Sequence, residues 1–156
     1  GDIVFQMSRS RQSPLIAAAT VSPWTHCGIV VRKPDGLYVL EASSTVKLTP
    51  WEEWKKRGRG AYAALKRYSD DDVRIDCEKY LGQPYDLEFK FDNGKMYCSE
   101  LVYVIYRDQF GVELCAPRPV SDYVTVGMDD AMRSRGIEPD QLVVAPSDLF
   151  ASPLLH

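Results

Sequence analysis

The first half of the chain carries short runs of apolar and β-branched residues, and these runs predict strands. They are residues 2–6, 26–32, 37–43, 45–49 and 62–68. Lys33-Pro34-Asp35-Gly36 separates the second run from the third and has the composition of a turn. The second and third runs are therefore predicted to pair as a β-hairpin.

Helical patterns are concentrated in the second half. Residues 98–110 are predicted to form a helix that ends at Gly111, and residues 70–81 a helix that begins at Asp70 and ends at Gly82. Shorter elements are expected as helices at 15–20, from Pro50, within 120–135 and at 147–151, and as a strand at 141–145. Strands that come early and helices that come late favour an α+β fold with an antiparallel sheet over alternating βαβ units.

The composition is typical of one globular domain, which we expect to span residues 1–156. The chain has 156 residues, of which 45% are hydrophobic and 26% charged. It lacks the run of roughly 18 apolar residues that a membrane-spanning helix needs. The net charge of −3 disfavours a nucleic-acid binder, so the basic run Lys55-Lys56-Arg57-Gly58-Arg59 is interpreted as a solvated face. Gly1 begins the chain without a Met or a charged-then-apolar leader, so the compartment does not follow from this end.

Histidine is scarce in this chain, which narrows the candidate chemistry. There are four Cys and two His, and one of the two is the last residue. No Cys-x-x-Cys pair occurs, so neither a structural zinc site nor any other metal site is expected. His26 is the candidate for any His-dependent catalysis.

Cys98 lies at the start of the predicted helix 98–110. A helix N-terminus carries partial positive charge and free N–H groups, and both stabilise a thiolate and lower the pKa of a cysteine. The same N–H groups can hold a developing oxyanion. The alternative interpretation is a small core residue, because free cysteines are often buried.

His26 and Glu41 are predicted to share one face of the hairpin. If Arg32 pairs with Leu37, His26 faces Ser43 and Glu41 is its diagonal neighbour, with Cβ atoms ~7–8 Å apart or less. A carboxylate inside an otherwise apolar strand is costly unless it is paired. The alternative is a hairpin with one solvent-exposed face, on which the two side chains have no functional role.

The chain resembles the circularly permuted NlpC/p60 proteins, papain-like cysteine amidases and peptidases of the YiiX type. Six motifs in order carry the resemblance: Gly1-Asp2-Ile3-Val4-Phe5-Gln6, Ser22-Pro23-Trp24-Thr25-His26-Cys27-Gly28, Tyr38-Val39-Leu40-Glu41-Ala42, Leu81-Gly82-Gln83-Pro84-Tyr85-Asp86, Tyr97-Cys98-Ser99-Glu100-Leu101-Val102 and Pro146-Ser147-Asp148-Leu149-Phe150. His26 precedes Cys98, which is the order of the permuted branch. The fold it implies is a small antiparallel sheet or half-barrel packed against helices.

The resemblance implies a catalytic triad in which Cys98 is the nucleophile, His26 the general base and Glu41 the residue that orients the imidazole. Tyr85 would support the oxyanion site together with the backbone N–H of Cys98 or Ser99. The remaining residues are assigned by position: Trp24 and Tyr97 as cleft candidates, Cys27 as a core residue on the face opposite His26, and Cys77 as a core residue on the predicted helix. No metal or organic cofactor is implied.

The expected reaction is acyl transfer through Cys98 to water. The substrate implied is an amide in a cell-wall peptide or an aminoacyl amide, with a lipid ester, amide or thioester as the alternative. A non-catalytic binding domain on the same fold is the rival of a different class. The resemblance favours a bacterial periplasmic or secreted location, and it leaves the oligomeric state open.

Overall fold

Five strands from the first half of the chain form one antiparallel sheet. In this computed structural model, which describes residues 1–156, the strands are β1 (Ile3–Gln6), β2 (His26–Lys33), β3 (Gly36–Ala42), β4 (Val46–Pro50) and β5 (Ala64–Lys66). They lie in the order β4-β3-β2-β1-β5. A separate two-stranded ribbon is formed by β6 (Arg118–Pro119) and β7 (Leu142–Val143).

Five helices accompany the two sheets. They are α1 (Ser13–Thr20), α2 (Trp51–Arg57), α3 (Cys98–Phe110), α4 (Asp129–Ser134) and α5 (Pro146–Phe150), with 3₁₀ turns at Arg59–Ala61 and Val120–Asp122. The order of elements confirms the predicted α+β class. None of the helices has the length and apolar character that crossing a bilayer requires.

The helix α3 is the centre of the main core. Its residues from Cys98 to Tyr106 are all buried, the polar Ser99 and Glu100 included, so this part of the helix is surrounded by protein. One face of the sheet packs against it through Phe5, Cys27 and Leu40, while a smaller cluster of Val4, Val39 and Trp54 lies on the opposite face under α2. The first residue of α3 is thus held rigidly against the sheet.

The β2–β3 hairpin has the register that its turn predicts. Arg32 pairs with Leu37, and Ile29 with Leu40. Alternation along the strands then directs Glu41 to the α2 face, where the His26 ring also lies, 6.1 Å from the ring of Trp54.

The predicted helix at residues 70–81 is wrong. Only a single turn forms, in which the N–H groups of Tyr80 and Leu81 donate to the carbonyl of Cys77. Before that turn, Val73, Ile75 and Cys77 are buried or half-buried and the residues between them are exposed. That period of two indicates extended backbone, and it was already present in the sequence.

Tertiary hydrogen bonds replace the helical ones in this segment. The N–H of Asp76 donates to the side chain of Gln109 on α3, at 2.9 Å, and the Gln109 amide donates back to the Asp76 carbonyl, at 2.8 Å. Backbone groups that a helix would pair internally are therefore satisfied by a neighbouring helix. Cys77 is a half-buried residue beside the core and not part of a helical stripe.

The segment 120–135 contains less helix than predicted. It forms the 3₁₀ turn at its start and the short α4 near its end, with Gly127 between them at a φ of 79°. A positive φ interrupts a right-handed helix, and glycine adopts it without steric cost.

Gly28 lets β2 and β3 approach closely beside His26. A Cβ atom at Gly28 would lie 2.5 Å from Cγ1 of Val39 and 2.8 Å from the carbonyl oxygen of Leu40. Both distances are too short for carbon contacts, so a larger residue would push β3, and with it Glu41, away from β2.

We expect Gly28→Ala to lower the free energy of unfolding by about 1–3 kcal/mol, because it overpacks the hairpin. Urea unfolding measures this. Val39→Ala removes one of the two clashing atoms, so the double variant should lose less stability than the sum of the two single losses. Strict additivity would contradict the predicted clash.

Candidate active site

Cys98 is the first residue of α3 and points into the protein. The residue is only 2% exposed, and its Sγ lies 4.0 Å from the carbonyl oxygen of Thr25, next to His26. The N–H groups of Cys98 and Ser99 belong to the first helical turn, where no intrahelical acceptor exists. The thiol therefore has unpaired backbone donors around it.

His26 and Glu41 form a hydrogen-bonded pair. Nε2 of His26 lies 2.7 Å from Oε1 of Glu41, and the two side chains are 12% and 0% exposed. The second oxygen of Glu41 accepts hydrogen bonds from the hydroxyl of Thr49 and from the guanidinium of Arg57. The buried carboxylate is thus satisfied at both oxygens, and its bond to Nε2 leaves Nδ1 of His26 for Cys98.

The pKa values of this group shift towards a thiolate–imidazolium pair. Burial opposes protonation of His26, but hydrogen bonds to Cys98 and Glu41 and their charges raise its pKa to about 9. Burial likewise opposes ionisation of Glu41, while His26, Arg57 and Thr49 bring its pKa down to about 2. A hydrogen bond from Cys27, followed by those of His26, lowers the pKa of Cys98 well below its ordinary value, against the effect of burial.

Cys27 is a neighbour of Cys98 that the sequence analysis did not identify. It is a fully buried core residue on the face opposite His26, as predicted. That face is also the one that packs against α3, so Cys27 lies next to Cys98, where hydrogen bonding from Cys27 is the largest cause of the lowered Cys98 pKa. Strand alternation carried the signal, because the residue that follows His26 points to the opposite face of the sheet, which is the α3 side.

Tyr85 and Ser99 take different positions near Cys98. The Tyr85 side chain lines the same cleft as His26, and burial, with the charge of Cys98, raises its pKa so that it remains a neutral donor. The hydroxyl of Ser99 donates to the carbonyl of Val144 at 2.5 Å. Ser99 thus has only its backbone N–H available beside the thiol.

The expectation for Trp24 as a cleft residue is not met. Its ring packs in an aromatic cluster, 5.9 Å from Tyr62 and 5.1 Å from Phe150 between ring centroids. Neither of the two cavities beside Cys98 and His26 includes it. Aromatic packing outweighs proximity in sequence here, because Phe5 and Phe150 offer Trp24 an apolar surface on the helix side.

Tyr97 and Glu100 support the start of α3. Tyr97 is 2% exposed, and its hydroxyl accepts a hydrogen bond from the Val144 N–H at 3.1 Å. Its ring lines the cavity beside Cys98. Glu100 accepts the N–H of Tyr97, and burial raises the pKa of Glu100 to about 8. At neutral pH Glu100 is therefore largely protonated and does not oppose a thiolate at Cys98.

Two cavities flank the Cys98–His26 pair. The first, of about 110 Å³, is lined by Cys98 and Ser99 and otherwise mostly by apolar side chains. The second is an open cleft of about 720 Å³ lined by His26, Tyr85 and many polar side chains. Ile16 on α1 lines both, so α1 forms part of the wall between them. The His, Cys, Asp and Glu side chains of the chain form no group of three or more that is suited to hold a metal ion.

Comparison with known proteins gives a consistent assignment. Residues 1–156 match the family described as permuted papain-like amidase enzymes, YaeF/YiiX, C92. The uncharacterised protein YiiX of Escherichia coli K12 is 30% identical over 167 residues, covering 99% of this chain and 83% of that protein. The crystal structure of YiiX from Escherichia coli O157:H7, described as a metalloprotein, has a TM-score of 0.91 at 30% identity and covers 100% of this chain and 93% of that one.

These matches confirm the resemblance carried by the six motifs, together with the permuted papain-like fold. They support cysteine hydrolase chemistry in general terms. The chain belongs to the family of permuted papain-like amidases of the YaeF/YiiX type.

Proposed function

We propose that the protein is a cysteine hydrolase that works by acyl transfer through Cys98, His26 and Glu41. The observation that carries the proposal is the position of the His26 imidazole, which is hydrogen-bonded to the buried Glu41 carboxylate and lies close enough to Cys98 for that thiol to help raise its pKa. A nucleophile, a base and a residue orienting that base are the parts that such catalysis needs.

In the proposed reaction the Cys98 thiolate attacks a carbonyl carbon and forms a tetrahedral oxyanion. The N–H groups of Cys98 and Ser99 and the hydroxyl of Tyr85 are the candidate donors to that oxyanion. The His26 imidazolium then gives its proton to the leaving group, and the C–N, C–O or C–S bond to that group breaks. Water, deprotonated by the neutral His26, hydrolyses the resulting thioester and regenerates the thiol.

Glu41 acts through His26. Its ionised state is maintained by Arg57 and Thr49, which stabilise the carboxylate in the absence of solvent. The carboxylate holds the imidazole ring with one nitrogen directed at the thiol and stabilises the imidazolium form. We therefore assign Glu41 a positioning role.

An amide is the bond we favour, in keeping with the amidase family. One observation favours lipid acyl compounds as a second candidate: the cavity next to Cys98 is lined by apolar residues of α1, α4 and the segment 120–146. An apolar acyl group or an apolar amino-acid side chain matches such a lining.

The related YiiX crystal structure is described as that of a metalloprotein. In this chain the His, Cys, Asp and Glu side chains offer no group of three or more suited to a metal ion. The donor set does not fit a metal centre, and no step of the proposed reaction passes through one.

Cys98→Ala should reduce turnover by about 10³-fold or more, because it removes the nucleophile. The measurement is a hydrolysis screen of muropeptides, aminoacyl amides and lipid acyl substrates, together with labelling by a thiol-reactive acyl probe. Cys77→Ala, which removes a thiol remote from His26, is the matched control and should keep the wild-type turnover and the labelling of Cys98. If the probe labels Cys98 no faster than the other cysteines, and Cys98→Ala binds ligands as the wild type does, the protein is instead a non-catalytic binding domain.

The activity should have a bell-shaped pH profile. The active form needs an ionised Cys98 and a protonated His26, so activity is lost as the pH rises through about 9, the pKa of His26, and again as the pH falls through the lowered pKa of Cys98. Cys27→Ala removes the hydrogen bond that lowers this second pKa most, so the acid limb should move to higher pH.

The rate of Cys98 alkylation by iodoacetamide across pH measures the acid limb directly. Cys27→Ser, which keeps a hydrogen-bond donor, should leave the limb close to that of the wild type. An acid limb at the same pH in Cys27→Ala and wild type would refute the contribution of Cys27.

Glu41→Gln should lower kcat by about 10²- to 10⁴-fold with a smaller change in KM, because the amide neither stabilises the imidazolium nor fixes its tautomer. Steady-state kinetics and thermal unfolding separate this effect from misfolding. If the variant is folded and has wild-type kcat, another polar group orients His26.

A further inference from the structure

The two cavities beside Cys98 and His26 differ in their charge. Besides His26, three cationic side chains, Arg9, Lys56 and Arg57, line the open cleft, and no Asp or Glu lines it. The cavity next to Cys98 has no charged side chain in its lining. The active site is therefore apolar on one side and positively charged on the other.

Two of the three cations have no partner in the protein. Arg57 binds Glu41 and is 42% exposed. Arg9 and Lys56 are exposed, and neither forms an ion pair with any carboxylate of the chain. Their charges are thus available to a ligand in the cleft. Hydroxyl groups of Ser8, Ser10, Ser43 and Ser44 line the same cleft and can donate further hydrogen bonds.

The proposed mechanism assigns each side of the site to one part of the substrate. His26 must protonate the leaving atom, so the leaving group lies on the side that His26 lines. The acyl group stays on the sulfur and extends to the side that Cys98 and Ser99 line. The charged cleft is consequently the leaving-group side.

We propose that this cleft recognises an anionic group, a carboxylate or a phosphate, on the leaving group of the substrate. The substrate class is then an apolar acyl group joined to an anionic alcohol, thiol or amine. This inference rests on the proposed function, since it uses the roles of Cys98 and His26 to assign the two sides.

Carboxylate and phosphate share the chemistry that the cleft offers. Both accept several hydrogen bonds from guanidinium, ammonium and hydroxyl donors, and charge-assisted bonds are the stronger ones. The side chain of Arg9 follows β1 and that of Lys56 belongs to α2, so the two cations approach the cleft from different elements. An anion between them would gain attraction from both.

Three hexanoyl thioesters that differ only in the leaving thiol test the inference. The thiols are 3-mercaptopropionate, 2-mercaptoethyl phosphate and the neutral 3-mercaptopropionamide. The wild type should show a kcat/KM about tenfold higher for at least one anionic thioester than for the neutral one. That preference should shrink as NaCl is raised, because salt screens exposed charges. The better of the two anionic thioesters identifies the source of the charge.

Arg9→Gln and Lys56→Gln should each reduce the ratio of anionic to neutral kcat/KM severalfold. Arg32→Gln, at an exposed arginine on the far end of the hairpin, is the matched control and should keep the wild-type ratio. If the wild type hydrolyses all three thioesters with equal kcat/KM and Cys98→Ala hydrolyses none, the preference for an anionic leaving group is refuted. The proposed function would then stand. Absence of both turnover and selective Cys98 labelling overturns the proposed function itself.

A readout without turnover completes the test. Iodoacetate and iodoacetamide differ by one negative charge and both alkylate Cys98. The rate of Cys98 alkylation by iodoacetate, divided by the rate with iodoacetamide, should fall in Arg9→Gln and Lys56→Gln but not in Arg32→Gln. An unchanged ratio in all three variants overturns the inference even if the thioesters are not hydrolysed.

Discussion

The hydrogen bond between His26 and the buried carboxylate of Glu41 is the interaction on which the site depends. A fully buried charge is tolerated only when it is paired and hydrogen-bonded. Glu41 meets this requirement with His26 from β2, Thr49 from β4 and Arg57 from α2. One carboxylate on β3 therefore ties together both neighbouring strands and the helix that follows them.

The second constraint is the burial of α3, which brings Cys98 to the same point from the other side of the sheet. The helix is surrounded by core residues from Cys98 to Tyr106, so its N-terminal donors have a fixed direction. Cys27 faces α3 and His26 faces α2, yet both contact Cys98, because His26 lies at the very start of its strand. There His26 lowers the pKa of Cys98 and Cys98 raises that of His26, while burial raises the pKa of Glu100 to about 8, so that Glu100 adds little opposing charge.

Features that depend on near neighbours in the chain were predictable. The Lys33-Pro34-Asp35-Gly36 turn predicted the hairpin register, and the register predicted the contact between His26 and Glu41. The start of α3 at Cys98 followed from its apolar period and from the turn before it. A helix was predicted at 70–81 because Val73, Cys77 and Tyr80 fit a helical stripe. It does not form, because the side chain of Gln109 on α3 pairs with the backbone of Asp76 and so stabilises an extended conformation.

By itself the sequence determined the elements of the sheet and the central helix, since turn chemistry and periodicity are local properties of the chain. It also predicted that His26 and Glu41 are neighbours and that Cys98 begins the helix, while the roles of these three residues came from the family resemblance. Only the tertiary structure decided which residues satisfy Glu41, that Cys27 contacts Cys98, that Trp24 packs away from the cleft, and that Arg9 and Lys56 border one cleft with His26. These contacts join residues far apart in sequence, and they are selected by the need to pair buried polar groups and to fill the core.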